Sequence, residues 1–168
     1  TTSEISALFN EVKYDLNEVR DTKLVKPIDI GLLPNEIKKI ANTKKRKELF
    51  IKIVLPLIVK ENNKVRIDRK RLFMILGKNS NTDIEKKWLE KKYKQYGVRQ
   101  NNLTTLKIRM DEIPVSLAIA QAAKETGWGT SRFALKGNAL FGQWTWSGDG
   151  LKPKNANEGE EHKVMKFH

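Results

Sequence analysis

The chain has 168 residues, 39% of them hydrophobic, enough for one ordinary domain or a small domain with an added helical part, and not a disordered polymer. It contains no cysteine, which excludes disulfides and thiolate metal sites. A net charge of +13, from 33 Lys and Arg against 20 Asp and Glu, points to an anionic partner (nucleic acid, anionic lipid or a bacterial cell-wall polymer) or to a genome biased toward lysine, asparagine and isoleucine.

No signal peptide opens the chain, since residues 1–10 are mixed and polar; this fits a cytoplasmic protein or a mature or trimmed chain. The longest apolar run, residues 49–59, is too short for a transmembrane segment and is interrupted by Lys52. Nothing in the sequence fixes an oligomeric state.

In residues 3–19 the apolar positions Ile5, Leu8, Phe9, Val12, Leu16 and Val19 recur at helical spacing, with Ser3 as the expected N-cap. Pro27, Gly31 and Pro34 break the pattern, and a short helix is expected at residues 35–41. Residues 43–62 read as a buried helix kinked at Pro56, because a central strand does not accommodate proline. A further helix over residues 67–76 ends at Gly77, and Asn81 or Thr82 opens another that carries Ile84, Trp88, Leu89 and Tyr93 and closes at Gly97. The lysine clusters on these helices alternate with acids and show no single basic side, which argues for solvated faces and against nucleic acid as the partner.

Asn101 or Asn102 starts a short helix through Met110, and Pro114 starts a central, alanine-rich helix that Gly127 ends. One more turn is expected at residues 132–135. Residues 140–146 are strand-like and lead to a Ser-Gly-Asp-Gly turn, and residues 155–167 read as a loop entering a hairpin strand.

The central helix carries Glu125 in its last turn, one turn after Gln121. Carbonyls at a helix C-terminus disfavour a carboxylate, and partial burial against alanine and Trp128 would act the same way. A carboxyl that keeps its proton is what a glycosidase needs to protonate a leaving oxygen. Gly127 and Gly129 allow a sharp turn, and Trp128, Phe141, Trp144 and Trp146 offer apolar plates for sugar rings. The competing reading makes the aromatics core residues and pairs Glu125 with a lysine; spacing alone favours that reading.

The stretch AKETGWGTSRFALKGNALFGQW, residues 123–144, resembles the signature of the bacterial N-acetylglucosaminidase domains of glycoside hydrolase family 73. Its Thr-Ser-Arg-Phe-Ala and Asn-Ala-Leu-Phe-Gly-Gln-Trp pieces are most similar to the Bax-type members, as are LPLIVKEN at residues 55–62 and Tyr96-Gly97-Val98. The resemblance implies a mostly α, lysozyme-like domain with a small β-hairpin beside the cleft. It implies a glucosaminidase domain over residues 101–168, truncated at its C-terminus, with an N-terminal helical region over residues 1–100 packed on it.

The reaction implied by the resemblance is hydrolysis of the β-1,4 bond after N-acetylglucosamine in peptidoglycan, without metal or cofactor, in the periplasm or cell envelope. Glu125 matches the catalytic acid. Gln121, Trp128, Asn138, Phe141, Gln143 and Trp144 fall at substrate-side or flanking positions, with Gly129 and Gly142 beside them. The second acid is Glu158, Glu160 or Glu161; spacing does not choose among them, and a route assisted by the substrate's own acetamido group needs none. His162 and His168 lack carboxylates at ligand spacing, so no metal site is expected. The alternative function is a non-catalytic glycan-binding or scaffolding module on the same fold.

Overall fold

The computed structural model describes residues 1–137, 144–145, 150–151 and 163–165. The chain divides into two compact units, one made of Thr1–Ile58 with Val115–His168 and the other of Val59–Pro114. The described residues are mostly helical. Position 100 lies inside the second unit.

In the first unit, α1 (Thr2–Glu11) is opened by Thr1, not Ser3: the Thr1 hydroxyl accepts from the Glu4 N–H while the Glu4 carboxylate reaches back to the N-terminus. The single helix expected over residues 3–19 is two helices. Lys13 takes a left-handed φ of 53°, and the N–H groups of Lys13 and Tyr14 fold back on the Asn10 and Phe9 carbonyls. Asp15 then caps α2 (Leu16–Thr22) by accepting from the Asn17 and Glu18 N–H groups. A 3-10 helix at Asn35–Lys39 buries Ile37.

The helix α3 (Thr43–Leu76) is one element, not two. Asn42 caps it through the Lys45 N–H, no glycine or proline interrupts residues 57–76, and the helix continues through Pro56 despite the backbone bond that proline cannot donate. Its first half belongs to the first unit and buries Leu49, Phe50, Ile53, Val54 and Leu55. The same unit holds α6 (Val115–Thr126) and α7 (Arg132–Gly137), with Ala118, Ala122, Ala123 and Ala134 buried.

Among the described residues the first unit also holds three short strands: β1 (Trp144–Thr145), β2 (Gly150–Leu151) and β3 (Lys163–Met165). Both pairings are antiparallel and β3 is central, with Trp144 opposite Val164 and Gly150 opposite Met165. The turn and loop expected around these strands lie outside the described residues.

The second unit contains the rest of α3 with α4 (Asp83–Gln95) and α5 (Leu103–Arg109). Thr82 and Glu85 form a capping box at the start of α4, and Asn102 caps α5 through the Thr105 N–H. Leu72, Tyr93, Val98, Leu106 and Met110 form its buried core, with Trp88 and Leu89 packed against them. No described helix is long and apolar enough to cross a membrane.

Candidate active site

Glu125 stands in the last turn of α6, and Gln121 one turn earlier; both side chains are exposed. The partial burial expected for Glu125 is therefore absent. Ala122 and Ala123 beside it are buried, while Glu125 is exposed. Among the described residues no lysine pairs with Glu125, so the core salt bridge that competed with a chemical role is not formed there.

The chain leaves α6 through three consecutive left-handed residues: Gly127 at φ 57°, Trp128 at 59° and Gly129 at 79°. Glycine adopts this conformation freely, but tryptophan does not, and a side chain held there is strained by roughly 1–3 kcal/mol. What holds it is visible. The Trp128 N–H donates to the Ala123 carbonyl at 2.9 Å and the Ser131 N–H to the Thr126 carbonyl at 2.9 Å. The Thr126 side chain, 1% exposed, donates its hydroxyl to the Ala122 carbonyl and accepts from the Gly129 N–H.

Tertiary contacts complete the clamp. The Trp128 ring is half-buried and meets Phe50 edge to face, centroids 5.8 Å apart and planes at 72°. The Lys47 ammonium sits 4.7 Å from the centre of the same ring. Neither Phe50 nor Lys47 was singled out from the sequence, because both lie on α3, far from the motif in the chain. Thr126 carried a local signal in its place between Glu125 and Gly127, but a hydroxyl inside a motif does not announce a buried double hydrogen bond.

The arrangement sets a solvent-facing carboxyl, without an ion pair among the described residues, two residues before the aromatic turn. Such a pair can present a carboxyl to a ligand and an aromatic surface to its ring. Trp144 is described only as a backbone position in β1. Asn138, Phe141, Gln143, Glu158, Glu160 and Glu161 lie outside the described residues, so the second carboxyl is not located.

Residues 100–167, a stretch that includes Glu125 and the turn, match the glucosaminidase family, described as mannosyl-glycoprotein endo-beta-N-acetylglucosaminidase. The chain is also 32% identical over 113 residues to Protein bax of Escherichia coli (strain K12). That similarity takes in 64% of this chain and 41% of the relative, so the chain spans less than half of that protein's length. No solved structure matches the chain. The family match over residues 100–167 and this identity together support a Bax-type glucosaminidase domain in this stretch of the chain.

Proposed function

We propose that this chain hydrolyses the β-1,4 bond following N-acetylglucosamine in peptidoglycan, with Glu125 as the general acid. The observation that carries the reading is the exposed Glu125, without an ion pair among the described residues, two residues before a left-handed turn and inside the family-matched stretch. The Glu125 carboxyl gives its proton to the bridging oxygen as the bond from that oxygen to the sugar's anomeric carbon breaks. Water adds to that carbon and releases its own proton to a second carboxyl, one of Glu158, Glu160 and Glu161. Separations of about 5 Å and roughly 6.5–9.5 Å between the two carboxyls correspond to retention and inversion at the anomeric carbon.

On this reading Gln121, Trp128, Asn138, Phe141, Gln143 and Trp144 line or support the sugar site. Residues 101–168 are the catalytic domain, lysozyme-like with a hairpin beside its cleft, and residues 1–100 are the helical region that precedes it. Peptidoglycan as substrate places the chain in the periplasm or cell envelope.

The test is to incubate the chain with purified peptidoglycan and monitor new reducing ends by mass spectrometry. Cleavage should leave N-acetylglucosamine at the new reducing end, and Glu125→Gln should lower the rate by about 10²–10⁴-fold with the fold unchanged. Full activity in that variant would overturn the assignment of Glu125. Binding of glycan strands without any cleavage would favour the non-catalytic module.

A further inference from the structure

The first unit carries an apolar concave surface between three of its helices, and Glu125 does not line it. A groove of about 730 Å3 lies between α2, α3 and α6, floored by Leu16, Val19, Ile51, Leu55 and Ile119 and closed at one end by Trp128. On α6 it runs from Val115 to Lys124, about 14 Å at 1.5 Å per residue, which matches two to three turns of a docked helix. At 3.6 residues per turn, Gln121 and Glu125 fall roughly on the opposite side of α6 from Ser116 and Ala123, so an occupant of this groove does not touch the candidate acid.

Two features specify the occupant. Ser116, Ala120 and Ala123 present small side chains to the groove, so a second helix can approach α6 at the short end of the usual 8–10 Å interaxial range. The rims are cationic on both walls, with Arg20 and Lys23 on the α2 side and Lys124 on the α6 side, and no described lining residue is acidic. Of these, Arg20 donates to the Asn17 side chain and is also attracted by the Asp15 carboxylate, while Lys23 donates to the Arg20 carbonyl. An apolar floor between two positive rims is complementary to a helix with an apolar stripe flanked by acids.

We propose that this groove docks an acidic amphipathic helix of a partner protein. The groove shares Trp128 with the proposed sugar site but is not lined by Glu125, and Glu125→Gln should leave the docking unchanged.

The test uses the whole chain and two fluorescein-labelled synthetic helical peptides with the same Leu/Ile stripe, one flanked by Glu and the other by Lys. Anisotropy titrations at physiological salt should show the Glu-flanked peptide binding at least roughly tenfold more tightly than the Lys-flanked one. Ala120→Trp, which fills the groove from an exposed position, should weaken that binding by at least roughly tenfold, as should Lys23→Glu with Lys124→Glu. The control pair Lys86→Glu with Lys91→Glu makes the same charge change on exposed positions of α4 and should leave binding intact. Circular dichroism melts confirm that each variant is folded. No binding of the Glu-flanked peptide, equal binding of both peptides, or equal losses in the two charge-reversal pairs would each overturn the proposal. So would binding of phosphatidylglycerol vesicles that the groove variants abolish while the peptide fails to bind, which would assign the surface to lipid.

Discussion

Gly129 and Phe50 approach so closely that a methyl group added to Gly129 would stand 3.0 Å from Cδ2 of the Phe50 ring. Phe50 is fully buried and Leu33 closes the other side at 3.4 Å, so neither neighbour can move aside without disturbing the core. Gly129 also holds a φ of 79°. Gly129→Ala therefore combines left-handed strain with overpacking, and we expect a loss of about 2–4 kcal/mol in urea unfolding. Gly31→Ala is the control: nothing lies within 4 Å of its added methyl, and the change should stay within about 0.5 kcal/mol.

The hydroxyl of Thr126 makes the second prediction. Thr126→Val preserves shape but removes the bond to the Ala122 carbonyl at 2.6 Å and leaves the Gly129 N–H, held at 2.9 Å, without its acceptor. An unsatisfied buried donor costs about 1–3 kcal/mol, and that is the expected destabilisation. Thr126→Ser keeps both bonds and should recover most of it. Equal melting temperatures for the valine and serine variants would show that the hydroxyl does not hold the turn.

How much of this was legible depended on whether the cause was local. The start of α4 could be read from Thr82 and its end from Gly97, because caps are written in adjacent residues. The end of α1 could not, because Lys13 occupies a left-handed position where glycine is the usual signal. The helical reading over 43–62 and again over 67–76 stopped short of joining them, yet Asn63, Lys64, Val65 and Arg66 contain no helix breaker and α3 runs through them. At the site, the place of Glu125 in the last turn of α6 was set by the alanine-rich run and Gly127. Its exposure was not, since burial is decided by what packs on the helix. The same holds for Phe50 and Lys47 under and over Trp128, a contact made by residues distant in sequence.

In the second unit, Arg66 donates to both oxygens of Glu112, from Nε at 3.0 Å and Nη2 at 2.6 Å. That hydrogen bonding is the main reason the Glu112 carboxyl is held below the usual glutamate range, with attraction to the guanidinium adding to it and desolvation opposing. A depressed value in the folded state means that the unfolded chain binds the proton more readily. The pair therefore stabilises above the ordinary glutamate value of about 4.3, and its contribution disappears as pH falls through the folded value. Glu112→Gln should lower the urea midpoint at neutral pH, and the gap to the wild type should close on acidification. A gap that persists at the lowest pH would mean that the pair acts through packing.

Tyr14 supplies the alkaline counterpart. Its ring is 2% exposed and packs edge to face on Phe9, centroids 5.3 Å apart, while its hydroxyl has no hydrogen-bond partner among the described residues. Burial pushes the phenol up to about 12. Below the unfolded value of about 10 both states keep the proton, and stability does not depend on this group. Between about 10 and 12 the unfolded chain releases the proton and the folded chain retains it, so stability falls as pH rises through that window. Tyr14→Phe keeps the contact with Phe9, removes the unpaired hydroxyl and removes this titration. At pH 7 it should be as stable as the wild type or more so, by up to about 1 kcal/mol, because a buried polar group without a partner is lost. Above pH 10 its advantage should widen, although Tyr93 and Tyr96, also raised by burial, leave some alkaline dependence in the variant. Urea midpoints at pH 7, 10 and 11 measure both effects, and a phenylalanine variant that is less stable at pH 7 would show that the hydroxyl has a partner in solution.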